Sequence, residues 1–599
     1  MAGPRYLRFS ARRLLGLTAV GSLWAFPFQQ AQAVPFASGL HKLGGSVYEF
    51  VLNESADNVV VSRNVGGDLV LGALGTGRHS FNLGAATNFA IEVENDAPAG
   101  FTAVNDAANL FTSFDRPSGL AINSIPSSPY FGAVYVNQGR SSTAAGPVVT
   151  TAGRVMGNGV YALTADRKGV NLPTYAVPGT ANDPGLAKAP GISFDPANVN
   201  SMYRLGMDDA GNLIASDWSN THGGLKYLTA DLTAGGPLLQ GESGPSGGVP
   251  SSTPGVALHG SVVGEPQVSG SLGVDLVVSA MDEDLDVNPP FANPSDGNSV
   301  WTWNVGATSS NYSGAPKLTV AVGDLYTSSG LPRQSSGVSS LLSGQQVGVD
   351  SAGRQVFLDL NIGVTANAQY NAHFDKWYLS GARTNGSDSS NLVILTPEGP
   401  GGDGRDIQVD WASRQFAIDN GVDGYTDSAG DTPSLGVNDI FRNVHNVTFS
   451  PDNETMYLHR RSVFSNDPLL GTGTAFGAPI LAIPLDSNGL PIIEIDNNGT
   501  LGDTSDDTIT NLEPIFTAKN PATASAASNL KTDIAGNIYY TDSISQRLEY
   551  FSLGGRSVAV TSNNSALTAG AFQLTTVPEP ATLTLLGMAC LTGLPNRKR

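Results

Sequence analysis

Thr532-Asp533-Ile534-Ala535-Gly536-Asn537-Ile538-Tyr539-Tyr540-Thr541-Asp542 is a polar turn followed by a short apolar strand that stops at a carboxylate. The pattern recurs in register at Met207-Asp208-Asp209-Ala210-Gly211-Asn212-Leu213-Ile214-Ala215-Ser216-Asp217 and at Val349-Asp350-Ser351-Ala352-Gly353-Arg354-Gln355-Val356-Phe357-Leu358-Asp359. A fourth copy, from Phe449 to His459, keeps the spacing with Ser450, Asn453 and His459 at the three marked positions. Each copy reads as a β-hairpin corner. Asp or Ser bonds the backbone two residues on, Gly or Asn takes the positive φ, and an apolar strand leaves the turn. Gly132–Asn137 and Asp275–Asp282 carry the same kind of apolar strand with weaker turns.

With 71 Gly, 36 Pro and only 14% charged residues, the chain favours turns and strands over long helices. Its turn-and-strand units resemble the blades of β-propellers of the NHL, SMP-30 and lactonase-like kind. The resemblance implies an all-β, propeller-like domain of six or seven blades over residues 101–576. The corners lie 142, 100 and 83 residues apart, beyond the roughly 40–50 of a propeller repeat, so long loop insertions are expected. A β-sandwich or two-domain arrangement is the competing architecture. Residues 34–100 alternate patches such as Asn58–Val61 and Asp68–Leu71 with Gly and are expected to form the first blade or a small β cap. The Gly- and Pro-rich stretches 234–256 and 396–406 read as loops.

The two ends carry different signals. Arg5, Arg8, Arg12 and Arg13 precede the apolar run Leu14–Phe26, and Ala31-Gln32-Ala33 follows, which is the layout of a signal peptide cut after Ala33. At the other end, Val577-Pro578-Glu579-Pro580 precedes an apolar segment over 581–594 and the basic stop Arg597-Lys598-Arg599. The prolines hold the motif extended, and the basic cluster stays on the cytoplasmic side of a membrane. Over residues 577–599 this order is similar to the PEP-CTERM sorting signal. The resemblance implies an exosortase-type processing enzyme as partner, transient anchoring in the inner membrane through the C-terminal segment alone, and delivery to the cell surface or beyond. The apolar segment is short and carries three Thr and two Gly, so it anchors weakly.

Loss of Arg5, Arg8, Arg12, Arg13, Arg597, Lys598, Arg599 and the acid Glu579 turns 32 basic and 52 acidic residues into 25 and 51. A body with that excess of carboxylates repels nucleic acid and anionic lipid. The only cysteine, Cys590, lies in the sorting tail, which excludes disulfides, thiolate catalysis and Cys-ligated metals from the exported form.

Oxygen ligands for a hard cation are plentiful. Asp496, Asn498, Asp503 and Asp506 sit in a Gly-interrupted loop that resembles a calcium-binding loop, without the Gly and distal Glu of an EF-hand at their places. Asp282, Asp284 and Asp286 form a second acidic run, and the segment 419–427 a third. Calcium is therefore the expected cofactor, and solvated acidic loops are the alternative. The seven histidines form no H-x-x-x-H or H-E-x-x-H, and neither a G-x-S-x-G elbow nor a phosphate loop occurs. Lys376-Trp377-Tyr378 and Trp301-Thr302-Trp303 could stack on sugars or fill a core.

No catalytic residue is assigned. The expected function is a non-catalytic surface or extracellular-matrix protein that binds polysaccharide, surface proteins or calcium. The alternative is a metal-dependent propeller hydrolase of the SMP-30 or lactonase kind, in which Asp217, Asp359 and Asp542 would converge around an ion.

Overall fold

The computed structural model describes residues 34–104, 108–139, 148–156, 159–169, 186–187, 203–217, 224–240, 262–269, 276–282, 299–306, 317–321, 348–349, 355–356, 365–381, 392–396, 408–413, 416, 441, 444–460, 479–496, 508–509, 513–517, 529–542, 545–563 and 572–577. All of them belong to the unit Ala31–Arg599. Among the described residues, no helix is long and apolar enough to cross a membrane.

At Asp208 and Asp533 the corner chemistry read from the sequence operates as expected, whereas the Ser450 hydroxyl accepts the N–H of Thr455, five residues on, at 3.0 Å. Asp208 Oδ1 accepts the N–H groups of Ala210 and Asn212 at 3.0 and 2.7 Å, and Asp533 Oδ1 accepts those of Ala535 and Asn537 at 2.9 Å. Gly536 turns with φ 86°, and a Cβ there would lie 2.9 Å from a Leu553 methyl, so glycine meets both a conformational and a steric demand. In the fourth copy Asn453 takes the positive φ, at 62°.

Each corner joins the first two strands of a four-stranded antiparallel sheet. Blade one comprises Arg116–Ile122, Val134–Gly139, Gly159–Leu163 and Leu186–Ala187. Blade two comprises Arg204–Met207, Leu213–Asp217, Gly224–Leu228 and Gly235–Gln240. Blade three comprises Val262–Ser269, Leu276–Asp282, Ser299–Gly306 and Lys317–Ala321. Blade four comprises Thr365–Asn371, Lys376–Gly381, Leu392–Thr396 and Gln408–Ala412. Blade five comprises Val444–Phe449, Thr455–Arg460, Pro479–Pro484 and Glu513–Thr517. Blade six takes Asn529–Thr532, Ile538–Asp542 and Arg547–Ser562, and its outer strand comes from the far end of the chain, Phe89–Ala103.

The first strands pack side by side in blade order, and that of blade six returns to that of blade one, which closes the ring. The second strands of blades one and six are buried on both faces, which is why they read as unbroken apolar runs, Val134-Tyr135-Val136 and Ile538-Tyr539-Tyr540. The contacts between blades are apolar: Leu120, Val134, Tyr161, Tyr539 and Tyr550 between blades one and six, and Tyr378, Ile394, Val447, Met456 and Leu481 between blades four and five.

The third copy of the repeat departs from expectation. Gly348–Val349 and Gln355–Val356 form a two-residue ladder outside the six blades. Blade four turns instead at Asn371–Lys376, where Asn371 Oδ1 accepts the N–H of His373 at 2.9 Å and Asp375 carries the positive φ, 53°. Asn and Asp do there what Asp and Gly do elsewhere, so the pattern hides the corner.

The closing strand explains the N-terminal region. Ala103, Thr102 and Phe101 pair with Phe551, Ser552 and Leu553 in blade six. After a register shift between Gly554 and Arg556, the same two strands run on and pair Asp96–Ala90 with Arg556–Ser562. There they join Ala56–Arg63, Leu69–Leu74 and Phe572–Val577 in one sheet. A second sheet, Ala37–Gly44, Val47–Leu52 and Gly77–Asn82, packs on it through Phe50, Leu52, Phe81, Val59, Phe89 and Ile91. Val34, Phe36, Phe131, Ala535 and Ala559, with Phe572 and Leu574, form the apolar joint between this pair of sheets and the ring.

Candidate functional site at the propeller axis

The first strands converge on the axis, and their side chains at one level form a polar circle. The N–H of Glu265 donates to Asn367 Oδ1 at 2.8 Å, Asn367 Nδ2 donates to Asn446 Oδ1 at 2.7 Å, and Asn446 Nδ2 donates to Asn529 Oδ1. Blades three, four, five and six are thereby stitched in order. Arg204 links blade two to blade one by donating to the carbonyl of Ser118, its guanidinium 4.3 Å from the Tyr203 ring. Asn suits this position because an amide can both donate and accept, as Asn367 and Asn446 do, so the chain passes from blade to blade with every link buried. Register shifts precede or flank this level in blades one, three, four and five, at Pro117/Gly119, Val263/Gln267, Thr365/Asn367 and Val444/Asn446. Bulges of this sort re-aim one side chain without breaking the sheet.

Two residues further along its strand, Lys531 of blade six crosses the axis. Its ammonium donates to Glu265 Oε2 of blade three, the blade opposite, and to Gln369 Oε1 of blade four at 2.9 Å. The Glu265 side chain is 1% exposed and that of Lys531 18%, so the pair lies within the ring with the cation nearer to water. Between the pair and the corners is a cavity of about 360 Å³ whose lining includes Leu205, Met207, Asp209, Tyr370 and Ala372 along with Glu265, Gln369 and Lys531. The Tyr370 ring is held in place by its hydroxyl, which donates to Asp375 Oδ1 at 2.6 Å, and by the Trp377 ring at 5.6 Å.

Of the residues expected at the site, Asp217 and Asp542 lie elsewhere. Asp217 ends the second strand of blade two, buried, with its carboxylate against the Lys226 ammonium. Asp542 ends the second strand of blade six as cross-strand partner of Arg547. Neither lines the cavity, and Asp359 is outside the described residues. Asp282 pairs with Val262 and Ser299, and Asp496 with Thr508 in a short ladder. Their side chains, and Asp284, Asp286, Asn498, Asp503 and Asp506 altogether, are outside the described residues. Val577 ends a strand opposite Arg556, while Pro578, Glu579, Pro580, Arg597, Lys598 and Arg599 are likewise outside them. Among the described residues, no three His, Cys, Asp or Glu side chains converge as a metal-holding group.

Trp377 and Tyr378 are buried, not displayed to a ligand. Of the histidines, His445 and His459 are buried with ring centroids 6.0 Å apart, and His459 Nε2 is 3.1 Å from the Tyr540 hydroxyl. Sequence reasoning missed Glu265, Gln369, Lys531 and the Asn circle. A signal exists: Arg204, Asn367, Asn446 and Asn529 each stand four residues before a corner residue, Asp208, Asn371, Ser450 and Asp533.

No family model and no curated protein matches the chain. Among solved structures, an auxiliary nutrient binding protein from Bacteroides thetaiotaomicron is similar at 9% identity, over 85% of this chain and 94% of that one, with a TM-score of 0.34. A gluconolactonase from Xanthomonas campestris is similar at 10% identity, over 76% and 98% of the two chains, with a TM-score of 0.29. The β-propeller domain of Swd1 from Myceliophteria thermophila is similar at 6% identity, over 76% and 100%, with a TM-score of 0.33. The all-β, propeller-like architecture rests on the chain's own strand pairing and on the packing of its six first strands around the axis.

Proposed function

We propose that the chain is an exported cell-surface or extracellular-matrix protein whose propeller binds its ligand and does not turn it over. The supporting observation is that the axial amide oxygens and the Glu265 carboxylate are each engaged by an axial neighbour. Lys531 is held by Glu265 and Gln369, and the Asn amides by their neighbours, so the axis is a braced scaffold around a cavity of ligand size. The alternative, a metal-dependent hydrolase of the SMP-30 or lactonase kind, would use carboxylates to surround an ion. Asp217 and Glu265 are each engaged by a lysine instead.

In this reading an exosortase-type enzyme processes the chain at Val577–Pro580, and Arg597-Lys598-Arg599 sets the orientation of the tail. Calcium is the proposed cation of the acidic loops, and extracellular polysaccharide or surface proteins are the proposed partners. The test combines intact mass of the exported chain with a lactone panel, with and without calcium. Loss of residues beyond the Pro-Glu-Pro motif and no turnover above the uncatalysed rate are expected. Calcium-dependent lactone hydrolysis that Asp217→Asn abolishes would establish the hydrolase in its place.

A further inference from the structure

We propose that the axial cavity is a binding site for one neutral sugar ring, entered from the face of the propeller that carries the corners. The proposal deepens the binding reading above and rests on it. Charge selects the ligand class. Among the described residues, the charged groups on the lining are Glu265, Asp209 and Lys531, two carboxylates and one ammonium, in a chain of formal charge −20. An anion would meet two carboxylates and the field of the whole chain, and an ammonium would meet Lys531.

A neutral polyol suits all three groups. An ammonium has three donors, of which Glu265 and Gln369 take two, so one remains for a ligand oxygen. Asp209 is exposed at the rim and accepts from ligand hydroxyls. Leu205, Met207 and Tyr370 supply apolar wall for the C–H face of a ring, and Tyr370 is already fixed by Asp375 and Trp377.

Size and depth limit the site to one ring. About 360 Å³ is near the lower end of the roughly 300–1,000 Å³ of ligand pockets. The inner end meets the buried Lys531–Glu265 pair, so an oligosaccharide could enter only by its terminal unit.

The test is saturation-transfer NMR and calorimetry on the full chain with methyl glycosides of glucose, galactose and N-acetylglucosamine, with glucuronate as the anionic control. Binding of at least one neutral glycoside at one site per chain is expected, about tenfold or more tighter than glucuronate. Ala372→Trp, at an exposed rim position, should abolish binding with the melting temperature unchanged. No neutral glycoside binding, preferential glucuronate binding, or binding that survives Ala372→Trp would overturn the site. Appearance of a product from a bound sugar would instead sink the non-catalytic reading and leave the site standing.

Discussion

The amide of Asn537, in the corner of blade six, donates to the carbonyl of Val34 at 3.4 Å across 503 positions of sequence. The same nitrogen donates to Asp533 Oδ2 at 2.9 Å, and the amide oxygen accepts the N–H of Leu553 at 3.0 Å. One buried side chain thus fixes a corner, the third strand of its blade and the segment that leads into the N-terminal sheets. Asn537→Ala would leave all three partners short of a bond in a buried place and is expected to cost about 3 kcal/mol. Asn212, the equivalent residue of blade two, bonds through its side chain to Asp208, and Asn212→Ala should cost about 1 kcal/mol. Urea unfolding of the two variants checks the difference.

Asp533 also makes stability depend on pH. Burial lifts its carboxyl from 3.8 to about 6 and outweighs the hydrogen bonds from Asn537 and Ala535 that favour the charged form. The folded state therefore disfavours the carboxylate. Its contribution is fully present below the unfolded pKa near 4 and is lost as pH rises through about 6, a change of about 3 kcal/mol. Glu54 shifts in the same direction, raised by burial despite the Arg167 guanidinium 2.9 Å away. Denaturation midpoints measured from pH 4 to 7 should fall with rising pH, and Asp533→Asn should flatten most of that slope.

Three rings join the first and last described segments of the chain to blade one. Phe36 lies 5.6 Å from Phe131 and 5.9 Å from Phe572, and Phe131 lies 5.8 Å from Phe572. Phe36 is buried and its N–H donates to Asn53 Oδ1 at 2.7 Å. Phe36→Ala should destabilise the protein by about 3–5 kcal/mol, and Phe572→Ala, at a half-buried position, by less. Calorimetric melting of the two variants gives the ranking.

The cross-axis pair should show the asymmetry of buried charges. Lys531→Met alone removes the ammonium that faces the buried Glu265 carboxylate and should cost about 3 kcal/mol. The double variant Lys531→Met with Glu265→Leu should recover much of that loss. A double variant that is less stable than the single one would contradict the role assigned to the pair.

How much of this could be read from the sequence follows range. The corners at Asp208, Ser450 and Asp533 are local devices of four or five residues, so Asp, Gly and Asn announce them wherever they occur. The corner at Asn371–Asp375 uses a different pair of residues for the same geometry and escapes the pattern, whereas Val349 and Gln355, which belong to a copy that matches the pattern, pair outside the six blades. The closing strand carries no signal of its own, since Thr102 and Ser552 are ordinary strand residues whose pairing is decided by the ring. The axial site is hidden for the same reason. Glu265, Gln369 and Lys531 come from three blades, and only closure brings them together.

Closure of the ring by the N-terminal strand is the claim on which the axis and its cavity depend, and a disulfide tests it directly. Thr102 and Ser552 are cross-strand partners, so their Cα atoms lie at a separation that a disulfide spans. With Cys590→Ser in the background, Thr102→Cys with Ser552→Cys is expected to oxidise readily, yield a crosslinked 102–552 peptide on mass mapping, and raise the melting temperature until a reductant is added. Two separate free thiols under oxidising conditions in the folded protein would contradict the closure, and with it the site at the axis.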